Sequence, residues 1–306
     1  MSATLLAHRV AQALWQRRHL DAPEQLLRDE LRDPALSGIE LAAASRSARA
    51  ELSLVLPSGL GMFASGLEAC GTPSQVEAQV RASGISWVAV LADWQYRARP
   101  TRRWNTDSRA LDYLAAIRSG GAAVWVWGWP VPGKETEFCQ QITERALAWG
   151  AVGIILDVEA PYYRQRAAGA RLLDEALTRA HAEGMAVGLT SFGAPWWHST
   201  LPWAELGRAD FGVPQIYDSK NNLGPGYPAR ALAAWRAMGF DGRSLIPAFP
   251  TYGKTPAELT AHLALFPASA AAIGWQWRTT RGAEWALVRR FGERLAGSFA
   301  RPGGIS

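Results

Sequence analysis

ETEFCQQITERALAWGAVGIILDVE, residues 135–159, holds one complete structural unit. Residues 135–149 place apolar side chains at helical spacing among charged ones, and Gly150 offers a left-handed stop. VGIILDVE (152–159) then runs apolar until it meets two acids, Asp157 and Glu159. A strand that is a continuous apolar run is buried on both faces, which is the habit of parallel sheets covered by helices.

The same cadence recurs along the chain. The other strands read as GMFASG (61–66), SWVAVLADW (86–94), AAVWVWGW (122–129), AVGLTSFG (186–193), FGVPQIYD (211–218), SLIPAFPTY (244–252) and AAIGWQW (271–277). Helices are predicted near 73–83, 107–118, 135–149, 165–183, 200–207, 227–238, 255–265 and 282–296. Glycines 84, 120, 150, 184, 207 and 239 fit left-handed helix ends. Eight strand–helix units predict an α/β fold of the (β/α)8 TIM-barrel kind over residues 56–306. An open doubly wound sheet is the alternative, but it would more often carry a glycine fingerprint after its first strand. Residues 1–55 read as a helical extension, with Asp21 a good N-cap before Ala22-Pro23-Glu24 and Pro34 closing that helix. This extension is expected to pack under the barrel, mediate dimerisation or dock to a partner.

In such a barrel the chemistry lies at the C-terminal ends of the strands. Asp157 and Glu159 close the fourth strand, and residues two apart on a strand point the same way, so Val158 should face the helices. Two carboxylates roughly 6.5–7 Å apart along one strand repel when both are ionised, which raises the pKa of the more buried one. A general acid needs that at neutral pH. Other strand ends add polar and flat groups: Asp93, Trp94 and Tyr96 after strand two, Trp129 after strand three, Gln215, Tyr217 and Asp218 after strand six, and Trp275 and Trp277 on one face after strand eight. Amides, acids and indole faces in one rim suit a carbohydrate.

The bulk composition excludes some classes of function. The histidines make no metal-ligand spacing, Cys70 and Cys139 read as ordinary thiols, and neither a P-loop nor GxGxxG is present, so no metal or cofactor is expected. No apolar run reaches the roughly 20 residues of a membrane span. His8, Arg9, Gln12 and Gln16 break up the first segment, which therefore does not read as a secretory signal. A net charge of +5 and a pI near 9.5 favour a polyanionic partner. The fifteen tryptophans suit packing and also stacking on sugar rings.

LDVE ending strand four and GWQW ending strand eight resemble the family 25 lysozymes, barrel glycosidases that cut peptidoglycan. PQIYD (214–218) is similar to the strand-six tyrosine motif of family 18 chitinases. The resemblance implies a glycoside hydrolase acting on an N-acetylated cell-wall polysaccharide, with peptidoglycan as the partner. Glu159 would match the acid/base residue, and Asp157 the neighbouring carboxylate that assists it or orients the acetamide. Tyr217 would bind that acetamide and Trp275 would floor a sugar subsite. Two departures stand out: GMFASG lacks the strand-one aspartate usual in family 25, and Val152 and Ile155 stand where the longer family 18 pattern DxxDxDxE has acids.

A barrel that binds carbohydrate without turnover is the first alternative. A nucleic-acid binder is the second, motivated by the charge and by YRARPTRRW (96–104), but no nucleic-acid fold signature accompanies it. With a cell-wall substrate and no export signal, delivery by lysis or a contractile injection apparatus is the expectation.

Overall fold

The computed structural model describes residues 54–95, 108–217, 224–240, 242–266 and 271–299. The helical reading of residues 1–53 therefore lies outside the described residues, as do Tyr96, Asp218 and the arginine-rich 96–104 stretch.

Eight strands form a closed barrel in sequence order, every neighbouring pair parallel: β1 (Gly59–Ala64), β2 (Ile85–Trp94), β3 (Ala123–Trp129), β4 (Gly153–Asp157), β5 (Ala186–Phe192), β6 (Phe211–Gln215), β7 (Ala248–Pro250) and β8 (Ala271–Trp275). The helices between and after them are α1 (Pro73–Ser83), α2 (Ser108–Ser119), α3 (Glu135–Ala148), α4 (Arg166–Ala182), α5 (Trp203–Leu206), α6 (Tyr227–Arg236), α7 (Pro256–Ala264) and α8 (Gly282–Phe299). The predicted barrel is thus the observed fold.

Local chemistry explains several boundaries. Thr72 and Gln75 form a reciprocal capping box at the start of α1, and Thr255 and Glu258 do so at α7, each with proline as the first helical residue. Gly84, Gly150, Gly184 and Gly239 take the positive φ expected of helix stops. Gly120 and Gly207 do not. After α2 the left-handed turn falls on Gly121, and Gly207 stays right-handed at φ −64, packed against Met238 and Trp203.

Period-two alternation sorts each strand into two cores. Val88, Val90, Ile154, Leu156, Val158, Val187 and Leu189 face the helices. Phe63, Trp87, Trp125, Trp127, Ile155 and Phe211 fill the barrel interior. Large rings fit there because glycine lies beneath them on the adjacent strand. A Cβ on Gly61 would come within 2.2 Å of Trp87, one on Gly153 within 2.1 Å of Trp125, and one on Gly188 within 2.3 Å of Phe211. Gly61 and Gly188 are the register partners of the rings that cover them. Interiors pack to crystal-like density, so an aromatic side chain over a bare backbone fills the space that two medium-sized side chains would share.

Two strand ends break the alternation. The β2–β3 register shifts between Leu91 and Asp93, so the inward position after Leu91 passes to Trp94. β8 ends at Trp275, and Trp277 opens a short 3-10 turn (Trp277–Thr279).

Candidate active site

Asp157 is the last residue of β4 and faces the barrel mouth, the side opposite Leu156 and Val158. Its backbone is in register with Thr190 of β5, and the Val158 amide continues the ladder to the Thr190 carbonyl at 3.0 Å. Glu159 stays extended, at φ −130, before a 3-10 turn (Ala160–Tyr162) leads away toward α4. The two acids therefore point to the same side, Asp157 at the strand's last position and Glu159 in the extended chain just beyond it.

Gln215, the last residue of β6, reaches both. Its Nε2 donates to Asp157 Oδ1 at 2.9 Å and to Glu159 Oε1 at 3.3 Å. A side-chain amide carries two N–H groups, enough for one bond to each carboxylate. Asp157 is buried, and Glu159 is half-buried. Burial holds the Asp157 carboxyl well above the ordinary carboxylate range. The negative charge of Glu159 adds to this, and the Gln215 hydrogen bond works the other way. Burial also raises Glu159, again opposed by Gln215. A carboxyl held above its ordinary range is the kind of group that can carry a transferable proton.

Aromatic groups lie at the ends of neighbouring strands. Trp275 packs edge-on against Phe63 and Trp127, with ring centroids 5.3 Å apart in each case. Trp94 lies 5.2 Å from Trp129. Tyr217, half-buried, packs against Tyr252 of the loop after β7. Burial, then the charges of Asp157 and its neighbours, hold the Tyr217 phenol well above its usual range, so it remains a hydroxyl donor.

Two expected site residues turn elsewhere. Asp93 is displaced by the register shift. It sits among Arg145, Glu137 and Lys134, in or beside α3, and its Oδ2 is buried with no hydrogen bond among the described residues. Burial raises its pKa, and Arg145 opposes that rise. Trp277 is buried in the outer core and meets Trp285 of α8 edge-on at 5.1 Å, so Trp275 and Trp277 do not share a face. Period-two spacing lapses once the strand gives way to the 3-10 turn.

The structure also brings in residues that the strand-end reading did not name. Ser65, after β1, donates to Gln276 Oε1 and so ties the end of β1, which carries no acid, to the end of β8. Tyr163 hydrogen-bonds His198 Nδ1, and the His198 ring stacks on Phe192 with centroids 3.7 Å apart. Tyr163 follows Glu159 by four residues, and its partner His198 lies on the β5–α5 loop. Cys70 and Cys139 are free, and burial pushes both thiols up to about 12. Among the described residues no cluster of three or more potential ligands could hold a metal. No described helix is long and apolar enough to cross a membrane.

No protein-family model matches the chain, and no curated protein matches it. Solved structures do. The chain is similar to a chitinase from Chromobacterium violaceum ATCC 12472, with a TM-score of 0.58 and 13% identity over 78% of this chain and 99% of that one. A chitinase from Bacteroides thetaiotaomicron gives 0.58 and 10% identity over 81% and 99%. The spore cortex-lytic enzyme SleL of Bacillus megaterium QM B1551 gives 0.53 and 10% identity over 77% and 74%. The likeness is one of fold.

Proposed function

We propose that this barrel is a glycoside hydrolase that cleaves an N-acetylated cell-wall polysaccharide, with peptidoglycan the favoured substrate. The observation that carries the proposal is the bridge from Gln215 to Asp157 and Glu159, inside a mouth walled by Trp94, Trp129, Tyr217 and Trp275. The chitinases and the cortex-lytic enzyme that share the fold support a polysaccharide in the cleft.

Glu159, the more exposed acid, protonates the glycosidic oxygen as the bond from the anomeric carbon breaks and its electron pair leaves with that oxygen. Asp157, two residues before Glu159 and bridged to it by the same Gln215 amide, lies on the same side and so does not attack the opposite face of the sugar. The acetamide carbonyl oxygen of the substrate fills that role, bonding to the anomeric carbon. Asp157 accepts the acetamide N–H to orient it, and Tyr217 donates its hydroxyl to the acetamide oxygen. Water then opens the cyclic intermediate and gives its proton to the Glu159 carboxylate. A strand-one acid is not required on this route, which accommodates Ser65 at the end of β1.

The test is digestion of purified peptidoglycan and of N-acetylglucosamine oligomers, with mass spectrometry of the new ends. N-deacetylated oligomers are the control and should resist cleavage. Binding of the acetylated polymers without new ends would identify a carbohydrate-binding barrel lacking turnover.

A further inference from the structure

Among the described residues, Arg164 alone adopts a left-handed backbone without being glycine, at φ 59. That conformation is unfavourable for any residue with a Cβ, and glycine would adopt it freely. Contacts from the neighbouring loop hold the turn. The Arg164 amide donates to the Thr200 carbonyl at 2.7 Å, and the preceding Tyr163 is tied to His198. Together they clasp the β4–α4 loop, which carries Glu159, to the β5–α5 loop.

The clasp uses only the backbone of residue 164. Its side chain is exposed, and its guanidinium has no hydrogen bond or ion pair among the described residues. The next arginines in sequence differ: Arg166 pairs with Glu205, and Arg171 lies 3.6 Å from Glu135. A glycine would therefore serve the fold at least as well at this rim position, yet the chain places a cation there.

We infer that Arg164, on the β4–α4 loop that also carries Glu159, is a specificity-determining residue that receives a carboxylate carried off the sugar ring. This rests on the glycosidase reading above and narrows its substrate to acidic glycans. A guanidinium presents paired N–H donors that match the two oxygens of a carboxylate. A neutral N-acetylated polymer leaves it unused, whereas a lactyl ether acid or an acidic stem peptide fills it. The aromatic walls cannot make that distinction, since every sugar ring offers them an apolar face.

The test measures binding to the full chain carrying Glu159→Gln, so that probes survive. The probes are N-acetylglucosamine oligomers, peptidoglycan strands stripped of stem peptide, and strands that keep it. Acidic strands should bind about three- to tenfold more tightly than neutral oligomers, less so in high salt. Adding Arg164→Gly should abolish that preference while raising Tm, because glycine fits the turn, and Arg164→Lys should keep part of the preference. Loss with stripped strands assigns the lactyl carboxylate, and loss only with peptide-bearing strands assigns the peptide. No preference in the parent protein, or a preference that survives Arg164→Gly, overturns the inference. If none of the probes binds, the glycosidase reading falls with it. If acidic strands are preferred but wild type cuts nothing, cleavage alone is refuted.

Discussion

Gln215 Nε2 lies 2.9 Å from Asp157 Oδ1, a hydrogen bond from β6 to β4 that favours the charged form of a carboxyl which burial pushes toward the neutral one. The same nitrogen exerts the same pull on Glu159. Replacing it by an apolar side chain of similar size, Gln215→Leu, should raise both pKa values further. A general acid stays protonated up to its pKa. The alkaline limb of kcat/KM should therefore move to higher pH even as the maximum rate falls. A limb that stays in place or moves down would remove Gln215 from the proton bookkeeping.

Glu159→Gln keeps the shape of the cleft and removes the transferable proton. General acid–base catalysis contributes roughly 10²–10⁴-fold, so turnover should fall at least about a hundredfold while glycan affinity persists. Val158→Ala serves as the control. Val158 is fully buried against the helices, and its truncation should lower stability by about 1–3 kcal/mol with little change in rate.

Asp157→Asn should make the protein more stable at neutral pH. The folded state raises this carboxyl above its unfolded value, so it binds more protons than the unfolded chain between the two pKa values. Stability therefore falls as pH rises from about 4 through the folded pKa. Glu159 and Asp93 act with the same sign. Asn still accepts the Gln215 hydrogen bond but carries no charge. Urea unfolding across pH should show a shallower decline in the variant, together with impaired turnover. An equally steep decline would show that Asp157 is not a source of the pH dependence.

Trp275→Ala should weaken glycan binding by roughly 1–3 kcal/mol, the scale of a lost aromatic platform. It should also cost stability, because Trp275 packs on Phe63 and Trp127. Trp277→Ala separates the two effects. It faces Trp285 in the outer core, so thermal unfolding should register the change and glycan titration should not.

The barrel and the acid pair were legible because unbroken alternation encodes both. From Gly153 to Glu159 nothing interrupts the period of two, and the side chains fall where counting places them. Counting fails at Asp93, where a register shift inserts one position, and at Trp277, where the strand has already ended. The stretch through Asp93 has no glycine or proline of its own, and Gly128, the β3 partner at the shift, marks the place only once the strands are paired. Ser65–Gln276 and Tyr163–His198 were illegible for another reason: each joins residues on separate loops, and only barrel closure brings them together.

The glycines under the interior rings bind pairs of positions into single choices. Adding a methyl at Gly153 alone drives it into Trp125, and shrinking Trp125 alone leaves a void over bare backbone. Each step is harmful, but the two together exchange volume across one strand boundary and should be much less so than their sum. The same holds for Gly61 with Trp87 and Gly188 with Phe211. Descendants of this barrel can therefore drift at these sites only by paired exchange, so in any lineage the small residue and its covering ring should be kept or lost together.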